Sequence, residues 1–379
     1  MRLQERFLAV VVVVVVVGCD GGGGGAGSTL PVDCTSADNG AKPQCATAEP
    51  NGGVLGTGPS IGLDTTGFVG GYIDGDALVV GGAGDGNGAE AFVMSIDLKT
   101  GNRTLLTGTL GDALLGNLSQ GTGEQFNPPT TVVKGANGPV VGSGSLYEVA
   151  ANGDRTLTAD FSTLVCETAP GGAGATLAPD TRAFGVGSDG AFYVSASDGG
   201  QNGGVVKIAA DGASCSVISY SGTSDATIAA IGSGPTFDFM NAGVMIGDTL
   251  FGGVFDRAGL FAVDVTSGAR TLPSSWSIGI TVGSGDDAGT RSIAPSSAGT
   301  LWSEDSEATS HLVVKIDLAT GNRTGVDVAT GPLSAGAHTH AIIAGLNVYG
   351  DFQGHLVVSD AHSVYLVDPA SKDSNRISR

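Results

Sequence analysis

The sequence predicts an all-β chain: a six-bladed β-propeller with four-stranded antiparallel blades, preceded by a signal peptide and a flexible tether. Three observations predict it. A hairpin-like stretch recurs six times at nearly constant spacing, a short apolar strand precedes each copy, and no long stretch shows helical apolar periodicity. Gly supplies 65 of 379 residues, well above ordinary usage, so turns are frequent throughout.

The clearest copy is VVKIDLATGNRTGVDV from residue 313. Val314, Ile316 and Leu318 alternate with Lys315 and Asp317, the period of a strand with one buried face. Thr320, Gly321 and Asn322 make the turn, because Gly reaches positive φ without a Cβ clash and Asn tolerates it better than most residues. Arg323 and Thr324 begin the return strand. Asp317 either pairs with Arg323 across the hairpin or accepts hydrogen bonds from turn amides.

The other copies are VMSIDLKTGNRTLL from 93, SLYEVAANGDRTLT from 145, GVVKIAADGASCSV from 204, LFAVDVTSGARTLP from 260 and SVYLVDPASKDSNRIS from 363. The last apolar residue of each rising strand (Ile96, Val149, Ile208, Val263, Ile316, Val367) serves as an anchor. The anchors are spaced by 53, 59, 55, 53 and 51 residues, a propeller-blade period. The copies drift: Ala150 and Ala209 replace the Asp, and Lys372 stands where Gly is expected.

A second marker precedes each hairpin: DALVV from 76, GPVVG from 138, GAFYV from 190, DTLFG from 248, GTLWS from 299 and GHLVV from 354. A turn residue followed by a short apolar run reads as a strand. Further upstream, TRAFGV at 181 and HAIIAGL at 340 are candidates for the innermost strand of their units. Four strands per unit in six units make the propeller; a β-solenoid, whose coils are usually shorter, is the alternative.

The chain divides into a signal peptide over 1–18, a lipidated Gly-rich tether over 19–58 and a propeller domain over 59–379. Arg2 and Arg6 precede an unbroken apolar run of eleven residues, Phe7 to Val17. That is a secretion signal, too short for the roughly 20 residues that cross a bilayer as a helix. Val16-Val17-Gly18-Cys19 resembles the bacterial lipoprotein box, which implies that Cys19 is lipidated and becomes the mature N-terminus. An ordinary cleavage site with an incidental Cys is the alternative. The expected location is the cell envelope, anchored to the inner or the outer membrane; Asp20 does not decide between them.

Export leaves Cys34, Cys45, Cys166 and Cys215 in an oxidising compartment, where an even count suggests two disulfides. The local pair Cys34 with Cys45 closes the shorter loop, which leaves Cys166 with Cys215. A zinc site from these four is disfavoured, since they are neither clustered nor near histidines at ligand spacing.

GVGSDGAFYVSASDGGQNGGVVKIAADG, residues 185 to 212, resembles a blade of the NHL-repeat and gluconolactonase-like propellers, through Asp189, Gly190, Phe192, Tyr193 and Val194. Leu356, Val357, Val358, Asp360, Leu366, Val367 and Asp368 match in the final unit. The resemblance is to a blade, not to an active site, so it implies the fold and leaves the activity open. The hydrolases of that family hold calcium or zinc on Glu, Asn and Asp at one mouth of the channel, where the metal polarises a lactone carbonyl. Their Glu-Gly-Pro motif is missing; the nearest string, Glu49-Pro50-Asn51-Gly52, lies in the tether.

Two weaker candidates for a metal remain. Asp85-Gly86-Asn87-Gly88-Ala89-Glu90 presents oxygens around a Gly turn, but its spacing is not that of an EF-hand and ordinary turn chemistry explains it. All five histidines fall after residue 310. His338 and His340 share one strand face, and His355 and His362 flank the next strand near Asp360, so a divalent-metal site at His338, His340, Asp360 and His362 is set against a scatter of loop residues. Trp276 and Trp302 read as packing between units.

The formal net charge of −20 excludes nucleic acid as a partner and disfavours peripheral adhesion to anionic lipid. Two functions are therefore expected in competition. One is a lipid-anchored binding or scaffold module for a protein or glycan partner. The other is a metal-dependent lactonase or esterase-like hydrolase with its site at the central channel. The first is preferred, because the hairpins keep their turn chemistry while no ligand set can be assembled from the sequence.

Overall fold

The computed structural model describes residues 57–59, 67–83, 91–112, 116–168, 175–199, 202–222, 229–238, 240–254, 259–276, 281–286, 288, 292–297, 299–304, 312–327, 347–359, 363–370 and 374–378. Among these the chain is all-β, without a helix. Strands β1 (Gly67–Asp74), β2 (Ala77–Ala83), β3 (Ala91–Asp97) and β4 (Arg103–Asp112) form an antiparallel meander, extended by β5 (Gly116–Gln120). The next is β6 (Thr131–Lys134), β7 (Pro139–Gly142), β8 (Leu146–Val149) and β9 (Arg155–Ala159). A two-residue β10 (Cys166–Glu167) then pairs with β11 (Thr176–Val186), which continues into β12 (Phe192–Ser197), β13 (Gly203–Ile208) and β14 (Cys215–Tyr220).

The remaining strands repeat the pattern. They are β15 (Ala242–Ile246), β16 (Thr249–Val254), β17 (Gly259–Asp264) and β18 (Arg270–Ser275); β19 (Ile293–Pro295), β20 (Thr300–Glu304), β21 (Leu312–Asp317) and β22 (Arg323–Asp327); and β23 (Asn347–Phe352), β24 (His355–Ser359), β25 (Val364–Val367) and β26 (Ser374–Ser378). The sheets take a propeller-like arrangement. Their first strands neighbour one another in the cyclic order β1, β6, β11, β15, β19, β23 and back to β1.

Six separate four-stranded sheets are not what the hydrogen bonds draw, which corrects the sequence expectation. Three sheets have that form, β6 to β9, β19 to β22 and β23 to β26. The first has five strands because β5 pairs along β4, and a nine-stranded sheet arises where β11 and β15 share one parallel pair, Ala183↔Gly243. Gly243 permits that approach, since a Cβ there would press on the Ala183 methyl.

The anchor residues occupy one register position. Ile96 faces Arg103, Val149 faces Arg155, Ile208 faces Cys215, Val263 faces Arg270, Ile316 faces Arg323 and Val367 faces Ser374. The innermost strand expected at HAIIAGL is instead β23, the NVYGDF segment; residues 340–346 lie outside those described. Asp317 braces its turn: its Oδ1 accepts the Ala319 and Thr320 amides and the Thr320 hydroxyl. Arg323 turns to a neighbouring meander instead.

Burial departs from the alternation in a telling way. Val313, Val314 and Ile316 are all fully buried, as are Phe92, Val93 and Met94. The middle strands are covered on both faces because each meander packs against two others. Six apolar clusters lie at these contacts. One joins Val93 to Val132 and Tyr147, the next joins Val140 to Phe184, and others join Val205 to Leu250, Leu260 to Leu301, and Val313 to Leu356. The last joins Leu78 and Phe92 to Tyr349 and Val357, tying the first meander to the last. Each such side chain contributes on the order of 1.5–3 kcal/mol on burial.

Candidate functional site

The first strands enclose a cavity of about 680 Å3 to which all of β1, β6, β11, β15, β19 and β23 contribute residues. Narrow side chains let these strands converge: a Cβ at Gly70 would overlap the Thr131 hydroxyl, and one at Gly185 the Met245 side chain. Polar side chains on the wall stitch neighbours together. Asn347 donates to the Phe68 carbonyl at 2.8 Å, and Tyr349 donates to the Val69 carbonyl at 3.1 Å. The Val348 amide donates to Ser292 Oγ at 2.9 Å, and the Thr130 and Thr181 hydroxyls meet at 2.7 Å. These bonds hold the ring where no main-chain ladder does.

At the carboxyl ends of the first strands, Lys134 Nζ lies 2.7 Å from Asp74 Oδ1 across the gap between β1 and β6. Both are half exposed, so the pair is worth less than about 1 kcal/mol. Burial, with the Asp74 charge adding to it, pushes the Tyr72 hydroxyl up to about 12, so it stays neutral and available as a donor. Asp351 accepts Trp302 Nε1 at 2.7 Å, the Ser296 hydroxyl at 2.6 Å and the Ser297 amide at 3.0 Å. Arg182 is held by Asp180 at 2.8 Å. The charges that line the cavity are thus paired within the protein, beside Tyr72, Met245 and Asn241.

A second constellation repeats on the outermost strands. Arg103, Arg155, Arg270 and Arg323 each open the fourth strand of a meander and bind the segment that leads into that meander. Their Nε atoms donate to the carbonyls of Pro59, Glu124, Pro235 and Asp286 at 2.6–2.9 Å. Their Nη1 atoms donate to Ser378, Thr107, Ser219 and Ser274, hydroxyls of the preceding outermost strand, at 2.8–3.0 Å. Each main-chain Arg N–H also donates into the segment, to Thr57, Thr122, Ser233 and Ser284. Gly234, at φ 111°, shows why the segment carries Gly: a Cβ would overlap the Arg270 carbonyl. Arg155 and Arg323 further lie over Phe126 and Trp276, at 5.7 and 5.5 Å from the ring centroids.

Sequence reasoning found the arginines as strand starts but missed their partners. The signal was present as Gly-Ser/Thr-Gly in GTGP at 56, GTGE at 121, GSGP at 232 and GSGD at 283. Trp276 and Trp302 do pack between meanders, as expected, through Arg323 and Asp351.

The Cys166–Cys215 disulfide is present, with its Cα atoms 5.3 Å apart. It links the segment before β11 to the outer strand β14, as the cysteine count suggested. Cys19, Cys34, Cys45, His338, His340, Asp360 and His362 lie outside the described residues, as do the loop from Asp85 to Glu90 and His311. His355, at the start of β24, is the one histidine described. Among the described residues no three His, Cys, Asp or Glu side chains are gathered as a metal site, and no helix is long and apolar enough to cross a membrane.

No protein-family model matches the chain, and no curated protein matches it. Among solved structures it is similar to a nidogen/laminin complex, at 11% identity over 68% of this chain and 78% of that one, with a TM-score of 0.43. It is similar to U3-55K at 9% identity, over 84% of this chain and 85% of that one, with a TM-score of 0.44. A structural genomics protein of unknown function from Bacteroides thetaiotaomicron is 11% identical over 83% of this chain and 69% of that one, with a TM-score of 0.46.

Proposed function

We propose that the chain is an exported, lipid-anchored β-propeller whose six meanders act as six blades, and that it serves as a binding module for a protein or glycan partner. The observation that carries this reading is the cavity at the convergence of the first strands, whose charged side chains Lys134, Arg182 and Asp351 are each already engaged by another group of the protein. Such a wall offers hydrogen bonds and apolar contact, which suit recognition, while Lys134 and Asp74 are engaged in holding strands together. Lipid at Cys19 would tether the module to the inner or outer membrane. Resemblance to NHL-repeat and gluconolactonase-like propellers supports the architecture and leaves activity open.

The test is binding by the exported chain to a glycan array and to cross-linked envelope proteins, compared with Asn241→Trp, which fills the cavity. Loss of a saturable ligand in the variant at unchanged melting temperature supports the module. Turnover of a sugar lactone that needs calcium or zinc and is abolished by chelation would establish the hydrolase instead.

A further inference from the structure

Cys215 occupies the register position that Arg holds in four other meanders, opposite the anchor Ile208. Its partner Cys166 lies in the lead-in segment of the same meander, where the arginines find their carbonyl acceptors. The preceding outer strand has changed in step. Thr107, Ser219, Ser274 and Ser378 supply the hydroxyl that receives an Arg, and the corresponding residue of β9, four beyond Arg155, is Ala159. Ala159 is buried and its side chain has no oxygen to offer. No Gly-Ser/Thr-Gly precedes β11 either, the segment being FSTLVCETAP.

We infer that the Cys166–Cys215 bond replaces the Arg latch in this one meander, and that the hold of its lead-in segment, which arrives from the second meander, on its outermost strand is therefore redox-sensitive. A dithiol reductant supplies two electrons and two protons, the S–S bond becomes two thiols, and the reductant closes to its own disulfide. No guanidinium then takes over. A thiol is a weak single donor, whereas the guanidinium is a fork of five, and the Ala159 methyl cannot accept. The four Arg-latched contacts contain no reducible bond and stay closed. Oxidation, by contrast, locks the lead-in segment to β14 irrespective of ionic strength.

Hydrogen exchange on the full-length chain, oxidised and reduced, tests this. Reduction is expected to speed exchange about tenfold or more in Cys166–Glu167 and Cys215–Tyr220, with β4, β18 and β22 unchanged. A Cys166→Ala, Cys215→Ala chain should exchange like the reduced protein and ignore reductant, which separates this bond from any formed by Cys34 and Cys45. Cys215→Arg with Ala159→Ser and Cys166→Ala should restore protection and make it insensitive to reductant. Equal exchange before and after reduction, a uniform increase over all the meanders, or a rebuilt variant no better protected than the double Ala chain would each overturn the inference.

Discussion

Arg103→Ala probes how the ring is closed. The first and last meanders are far apart in the sequence, and among the described residues no strand of one inserts into the sheet of the other. Outer-edge closure rests on Arg103, 9% exposed, which donates to Pro59 O at 2.6 Å, Ser378 Oγ at 3.0 Å and Gly58 O at 3.3 Å. Charge-assisted bonds of this kind contribute about 1.5–3 kcal/mol each, so some 4–9 kcal/mol gross is removed. Relief from burying a guanidinium offsets part of it, leaving a net loss of about 3–5 kcal/mol. At about 2 °C per kcal/mol for a chain of this size, the melting temperature should fall by 6–10 °C.

Arg270→Ala is the control, because it removes the same pattern of bonds at a contact the chain itself spans. Calorimetry should show a similar fall for both. Only Arg103→Ala should also speed exchange in β4 and β26 together, and trimming the chain to begin at residue 60 should reproduce much of that effect. A shift under about 1 °C, or matching exchange patterns in the two Arg variants, would refute closure by this latch.

Two further outcomes follow from the same structure. Amide and hydroxyl bonds from Ser267 and from Thr320 hold the carboxyls of Asp264 and Asp317 below their usual 3.8. Their folded values are depressed, so their stabilisation is complete above 3.8 and lost as pH falls through the lower folded values; Asp264→Asn with Asp317→Asn should flatten the decline in melting temperature between pH 5 and 2. For the proposed lipid anchor, Cys19→Ala should move the chain from the detergent-extracted membrane fraction to the soluble one, and unchanged fractionation would remove that part of the proposal.

The candidate site was legible unevenly. TGNRT, NGDRT and SGART announced turns, and the turn chemistry holds to the level of Asp317 bracing Ala319 and Thr320. The same strings hid a second role for Arg, because its carbonyl acceptors lie 31–44 residues earlier in sequence and its hydroxyl acceptors lie across a contact between meanders. A local reading leaves Arg323 free to pair with Asp317, six residues away, or not; packing gives it to Ser274 and Asp286. The cavity was less visible still, since its walls are Gly70, Thr130, Gly185 and Asn347, residues whose significance is that neighbouring strands come close there.

Sequence alone determined the local structure: where strands begin, which residues turn, and the anchor register from Ile96 to Val367. Those properties depend on side-chain period, allowed φ and chain spacing, and each is set within a few residues. Tertiary structure decided how the meanders meet. Val313 and Val314 are both buried because a second sheet covers each face, β11 and β15 fuse because Gly243 lets Ala183 approach, and Cys215 proves to stand in an Arg position once the strands are set in register. These facts depend on distances between segments remote in sequence, which no local pattern encodes.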